Sequence, residues 1–346
     1  NAMVNAGIDV QMFKGLLGVT VDYYNTNTSN MLLNVPVPHL TGYSTALMNI
    51  GKVNNRGWEI ALTSQKNFTK DFGYSFNANY STNTNEVKAL GPGDAPIIST
   101  GSVDHAYYIT KVGEPIGSYY LLVQDGIFSN EEELKKYPHF SNTKPGDFRF
   151  VDVDGDGVMD LDKDRTIVGN YMPDFTYGFG VSAKWKGLDV NVHFQGAGKS
   201  TFFTYGKCVW AFTEGEWGNI FKGMLDNRWV DADTAETLGI PANENPNASY
   251  PRLSYQGDNA SNNNYRNSTF WLKNGRYLRL KTIDVGYTLP KSIVNKMHFN
   301  NIRIFLVGTN LLTWSSFKTW DPEMGDPRGE SYPLTKSITM GISVNL

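Results

Sequence analysis

The 346-residue chain has one cysteine, Cys208, which excludes a disulfide scaffold and every multi-cysteine metal site. Charge is scarce too. Charged residues make up 19% of the chain, below the roughly 25% of an average soluble domain. The 31 basic and 34 acidic side chains leave a net −3, so the chain is no polyelectrolyte for nucleic acid. No run approaches the ~18 uninterrupted apolar residues of a membrane helix. The histidines His39, His105, His139, His193 and His298 show no metal-ligand spacing, and neither a Gly-x-Ser-x-Gly elbow nor a phosphate-cradling Gly-x-x-x-x-Gly-Lys occurs. Cys208, beside Val209 and Trp210, carries no signature of nucleophilic catalysis and reads as a buried, inert thiol. The beginning shows no charged segment followed by an apolar one. Asn1-Ala2-Met3 reads as a vector scar, and residues 4–346 as one continuous unit.

Aromatics, by contrast, reach 13%, and there are 34 glycines, which argues against disorder. The governing pattern is alternation with period two, the mark of strands whose successive side chains face opposite sides. Phe175, Tyr177, Phe179, Val181, Ala183 and Trp185 interleave with Thr176, Gly178, Gly180, Ser182 and Lys184. After Lys186-Gly187 the pattern resumes with Leu188, Val190, Val192 and Phe194, which predicts a hairpin of two long strands. Similar runs start at Leu17, Trp58 and Tyr74, and the last is Ile338, Met340, Ile342, Val344 and Leu346.

Two architectures produce such stripes. A soluble sandwich buries them against a second sheet, in strands of about five or six residues. A transmembrane barrel turns them to lipid, in strands of about 9–11 residues. The runs have the second length, and their polar faces carry Asn, Ser, Thr and Gly rather than Lys and Glu. Connections around 81–118, 126–173 and 197–270 are long, while others are tight, which is the asymmetry of outer-membrane barrels. Helix-like pieces fall at 130–136 and 219–229. About ten to twelve strands are expected, together with an all-β fold: part of a large antiparallel transmembrane barrel with long extracellular loops. The alternative is a secreted β-sandwich that binds glycans through a calcium-stabilised loop.

The most specific local motif is acidic. Asp152, Asp154, Asp156 and Asp160, with Gly157 and the Val158 carbonyl, stand at positions 1, 3, 5, 9, 6 and 7 of a loop suited to the six to eight oxygens of Ca²⁺. Position 12 is Lys163, which cannot ligate, so Asp164 would have to complete the shell. A solvated Asp/Gly turn without metal is the other reading. Any Ca²⁺ here would serve structure, since no catalytic constellation lies nearby. The carboxylates Glu214 and Glu216, two residues apart in a loop, are poor candidates for a glycosidase pair. No enzyme is expected.

Several segments together resemble the SusC/RagA-type TonB-dependent outer-membrane transporters. They include Val21-Asp22-Tyr23-Tyr24-Asn25, Met31–Pro38, Asn49-Ile50-Gly51-Lys52-Val53-Asn54-Asn55-Arg56-Gly57-Trp58-Glu59, Pro145-Gly146-Asp147-Phe148-Arg149-Phe150, Asp164–Asn170, Pro173–Gly178, Tyr277–Lys281, Gly308-Thr309-Asn310-Leu311 and Tyr332-Pro333 with the closing strand. The acidic loop is a residue longer than the usual family form. The resemblance implies the C-terminal portion of a 22-stranded barrel, with signal peptide, TonB-contacting segment and plug absent from this chain. It further implies import of oligosaccharides or peptides, with a SusD-like surface lipoprotein, the TonB complex and outer-membrane lipids as partners. The strand ending at Leu346 would then be the assembly signal. Tyr205, Trp210, Trp217 and Trp229 are the candidate faces for stacking on sugar rings, with packing inside the loops as the competing role.

Overall fold

The computed structural model describes residues 1–36, 40, 42–43, 45–102, 105–212, 220–240, 248–254 and 263–345. Four long strands open the chain: β1 (Ala2–Met12), β2 (Leu17–Pro36), β3 (Thr45–Asn67) and β4 (Phe72–Thr82). β5 (Thr84–Ala89) continues along β3 alone. Short strands β6 (Ile97–Thr100), β7 (Tyr107–Thr110), β8 (Ser118–Leu122), β9 (Gln124–Ile127), β10 (Phe148–Phe150) and β11 (Arg165–Ile167) follow, with helix α1 (Glu131–Lys136). Long strands return as β12 (Phe175–Trp185) and β13 (Leu188–Gly198). Next come β14 (Thr201–Phe203), helices α2 (Lys222–Asn227) and α3 (Ala232–Leu238), and β15 (Leu272–Asn274). The chain closes with β16 (Tyr277–Thr288), β17 (Asn301–Ser315) and β18 (Ser337–Asn345).

Nine long strands pair antiparallel in the order β1-β2-β3-β4-β12-β13-β16-β17-β18, and β5 makes this a ten-stranded sheet. The sheet does not close on itself; β1 and β18 are its two edges. Ala2 and Met3 pair with Asn27 and Thr26, so the strand pattern runs into the residues read as a vector scar. The predicted β12–β13 hairpin forms, turning at Lys186 and Gly187 with φ of 47° and 88°. Two successive positive φ values are what a tight two-residue hairpin demands, and glycine supplies the second without a Cβ penalty.

Register translates the alternation into two faces. One row across the sheet is Gly18, Thr63, Asn77, Gly180, His193, Thr282, Thr309 and Ser337, polar or small throughout. The neighbouring row on the other face reads Ser64, Phe76, Val181, Val192, Ile283, Gly308 and Ile338. That second face is bare: Val181 is 45% exposed, Trp185 57%, Ile338 69%, Met340 73% and Ile342 63%. No second sheet covers it among the described residues, so the sandwich alternative does not hold. A dry core exists elsewhere. Tyr119, Leu121, Leu122, Phe148, Phe150, Phe203, Trp210 and Trp271 pack together in the layer built by the long connections.

That layer corrects the expected loop boundaries. The segments 81–118 and 126–173 are one excursion, from the end of β4 at Thr82 to the start of β12 at Phe175. The intervening β8 lies outside the barrel wall, and its Tyr119, Leu121 and Leu122 are all buried rather than alternately so. A continuous apolar run suits a strand covered on both faces, not one facing lipid on one side. The third connection runs 199–276, and a fourth, 316–336, joins β17 to β18. Helix α1 forms where expected because Asn130 caps it, accepting hydrogen bonds from the N–H groups of Glu132 and Glu133.

Candidate functional site

The wall itself is the first functional surface. In register, Tyr80, Tyr177, Gly196, Leu278 and Trp314 form one belt across the bare face. Phe72, Trp185, Leu188, Tyr287, Ile304 and Ile342 form another. Eight residues separate Tyr177 from Trp185. At about 3.4 Å per residue and the usual barrel tilt this is about 20 Å of height, close to the roughly 25 Å apolar band of outer-membrane barrels. Tyr80 lies 5.5 Å from Phe175, and Phe179 stacks on Phe194 at 4.7 Å. Ile338, Met340, Ile342 and Val344 continue the apolar stripe on edge strand β18; Leu346 lies outside the described residues.

The opposite face carries ion pairs. Arg303 donates to both Asp189 oxygens, at 3.1 and 2.5 Å, and to Asp284 at 2.7 Å, joining three strands near the tight-turn end. Gly286 makes room for the guanidinium, since a Cβ there would meet Arg303 Nε at 2.3 Å. At the loop end, fully buried Arg279 reaches Asp321 and, at 2.9 Å, Glu323, while Gln195 donates to Glu323 at 3.1 Å. These contacts fold the 316–336 connection against the inner face. Nothing in the sequence pattern pointed to this clamp, because its members are far apart along the chain.

In the acidic loop, carboxylate oxygens of Asp152, Asp154 and Asp156 lie within 4.8 Å of one another. Local N–H donors orient them: Gly155 and Gly157 to Asp152, Asp156 to Asp154, and Val158 to Asp156. Three converging carboxylates fit a hard cation. Asp164 and Asp160 make hydrogen bonds within the loop. Asp164 is fully buried and accepts from the N–H groups of Val153 at 2.9 Å and Asp160 at 2.6 Å, so both its oxygens clasp the loop backbone. Asp160 accepts from the N–H of Asp162. Lys163, whose position denied the loop its usual last ligand, sends its ammonium to Asp156 at 2.9 Å. That hydrogen bond, with the N–H of Val158, lowers the Asp156 pKa below the ordinary carboxylate value, and the Lys163 pKa rises in return.

Trp210 and Trp229 are buried in the layer, the competing role weighed for the aromatic candidates. Trp210 is buried, stacked on Tyr265 at 5.2 Å and against Trp271 at 5.8 Å. Trp229 is buried over Gly146, where a Cβ would meet its ring at 2.3 Å. Tyr205 is half-buried, edge-on to Trp210 and stacked on His105. Trp217, like Glu214 and Glu216, lies outside the described residues. Burial raises the Cys208 thiol pKa, in keeping with an unreactive group.

A better-placed concavity sits where three connections meet. It holds about 580 Å³ between Tyr108, Tyr171, Thr201, Phe202, Asp326 and Ser331. Tyr171 is exposed, and rings here alternate with hydroxyl and carboxylate groups. The same layer also contains a buried polar clamp. Asp147 pairs with Arg252 at 2.7 Å, accepts from Asn264 at 2.8 Å and from the N–H of Lys144 at 2.9 Å; Asn264 in turn accepts from the N–H of Phe148.

An open antiparallel wall with one apolar, aromatic-belted face and one polar face, carrying a packed layer at a single end, defines a segment of a transmembrane β-barrel receptor. Comparison with known proteins narrows that class. The chain is a homologue of the SusC-type TonB-dependent receptors, as the sequence motifs implied. It is 29% identical over 359 residues to TonB-dependent receptor P3 of Formosa agariphila, covering 99% of this chain and 33% of that protein. It is 23% identical over 347 residues to TonB-dependent receptor SusC of Bacteroides thetaiotaomicron, covering 98% and 31%. Among solved structures it matches the RagAB peptide importer in its open-open state, with TM-score 0.77, 24% identity, and 99% of this chain on 34% of that one. The RagAB peptide transporter gives TM-score 0.75 at 25% identity. No family model matches the chain. The chain thus spans about a third of the length of the relatives it matches.

Proposed function

We propose that this chain is the C-terminal barrel segment of an outer-membrane importer, which takes up oligosaccharides or peptides with energy from TonB and with a SusD-like lipoprotein over its extracellular end. The observation that carries the reading is the bare apolar face with its two aromatic belts, set against a polar inner face and a loop layer at one end only. Lipid is the solvent that makes such a face stable, because a barrel leaves no backbone group unpaired in it. The cavity beside Tyr171 and Phe202 supports cargo contact at the loop end, in place of the buried tryptophans.

Calcium, in this reading, braces the acidic loop without taking part in chemistry. The Asp152, Asp154 and Asp156 carboxylates hold it once Lys163 swings away. Uptake by the full-length receptor tests the main proposal. Labelled oligosaccharide or peptide should enter cells only when receptor, lipoprotein and TonB are all present. Entry of neither cargo, or entry that ignores loss of the receptor, overturns it.

A further inference from the structure

The barrel wall splits at its loop end, and the split makes a second concavity. β4 ends at Thr82, opposite Phe175 of β12, whereas β5 carries on along β3 with no pairing to β12. Between the diverging strands lies a cleft of about 660 Å³. Its floor is the Tyr80–Phe175 ring pair, on the same face as Val181 and Trp185. Its rim carries Tyr171 and Met172, 53% and 50% exposed, beside Ile116.

The remaining lining is amides and hydroxyls. Asn55 and Asn85 are bonded to each other at 2.8 Å, and Asn83 accepts from the Tyr24 hydroxyl at 3.0 Å. The side-chain oxygen of Asn170 is sealed from solvent and receives no hydrogen bond. Lys199 stands at the edge, already paired with Asp174 at 3.3 Å, so the cleft presents no uncompensated charge. Aromatic faces with amides and hydroxyls, and with charge neutralised, are the chemistry that takes a sugar: rings cover its C–H faces and amides bond its hydroxyls. The floor, however, belongs to the upper belt of the apolar face. A saccharide seated here lies beside lipid.

We infer that this cleft binds the sugar headgroup of a glycolipid in the outer leaflet, with an acyl chain laid on Tyr80 and Phe175. The assignment rests on the reading of the bare face as lipid-facing. The expected consequence is that the receptor holds one glycolipid at this rim independently of its cargo.

The full-length receptor, reconstituted in phosphatidylethanolamine vesicles doped with an acylated diglucosamine and released for native mass spectrometry, tests this. The unmodified receptor should keep one glycolipid. The double variant Ile116→Ser with Met172→Glu, both outside the cargo cavity, should retain it at least tenfold less, and Tyr332→Ala, an exposed tyrosine outside the cleft, should match the parent. Equal retention by parent and double variant overturns the site. Equal competition by the free, unacylated disaccharide overturns the lipid-linked ligand in favour of soluble sugar. A receptor that inserts and imports but carries no glycolipid overturns this inference alone, whereas failure to insert into vesicles overturns the barrel reading beneath it.

Discussion

Lys163 is the residue on which the acidic loop turns. Its ammonium lies on Asp156 and within 3.9 Å of Asp154, so it competes for the oxygens a cation needs. Lys163→Gln should therefore raise Ca²⁺ affinity several-fold, as isothermal titration of the full-length receptor would reveal, while Asp156→Asn should lower it. Unchanged, undetectable binding in both would remove the calcium reading. Asp147 works by the opposite logic. It is a buried carboxylate with a guanidinium, an amide and a backbone N–H all directed at it. Removing one member of such a set strands the others, at a cost of about 3 kcal/mol. Asp147→Ala should make the loop layer cleavable by protease in folded receptor, with the wall strands intact. Sequence alone flagged Pro145-Gly146-Asp147 as a motif but could not name Arg252 or Asn264 as its partners, more than a hundred positions away.

Strands are the scale at which the sequence spoke clearly. Period two is plain in β12, β13 and β18, which put their expected apolar residues on one face, while β16 shifts register between Leu280 and Thr282. A paired substitution in β12 measures what that face meets. Val181→Arg places a guanidinium in the apolar band and should cost about 2–4 kcal/mol of barrel stability near the midplane. Ser182→Arg, one residue on, turns into the polar interior and should be tolerated. Urea unfolding of the receptor in detergent or vesicles compares the two, and equal penalties would mean the faces are misassigned. Short strands were less legible. β8 is apolar at consecutive positions because the loop layer covers both of its faces, and no pattern within its five residues reveals what will lie above and below it.

For the whole molecule, two bodies of different physical character share one chain. The wall depends on lipid and backbone pairing, the loop layer on a packed aromatic core and on carboxylates that cap and clasp. Several of those carboxylates sit below their ordinary pKa values. At Asp231 the cause is hydrogen bonding from Thr234, at the start of α3. At Glu133 and Asp326 burial works against ionisation, but N–H donors from Ser129, and from Ser331 and Arg328, outweigh it. A carboxylate with a depressed folded pKa adds stability above its unfolded value, which is lost as pH falls through the folded one. Below the ordinary Asp and Glu values of 3.8 and 4.5, loop-layer amides should lose protection relative to their intrinsic exchange rates at each pH, while β12 and β13 stay protected. Hydrogen exchange at pH 7 and pH 3 would show this, and uniform loss across both bodies would contradict it.

The sequence by itself determined the wall: strand length, the two faces, the tight turn at Lys186-Gly187 and the kinship with SusC-type receptors. These are local or periodic properties, written in residues one or two apart. Only the tertiary structure decided that the long connections are a packed layer, that Trp210 and Trp229 are buried within it, and that Asp164 clasps the loop backbone. Burial depends on which distant segments arrive, and a ring or a carboxylate has the same letter whether it faces solvent or is covered.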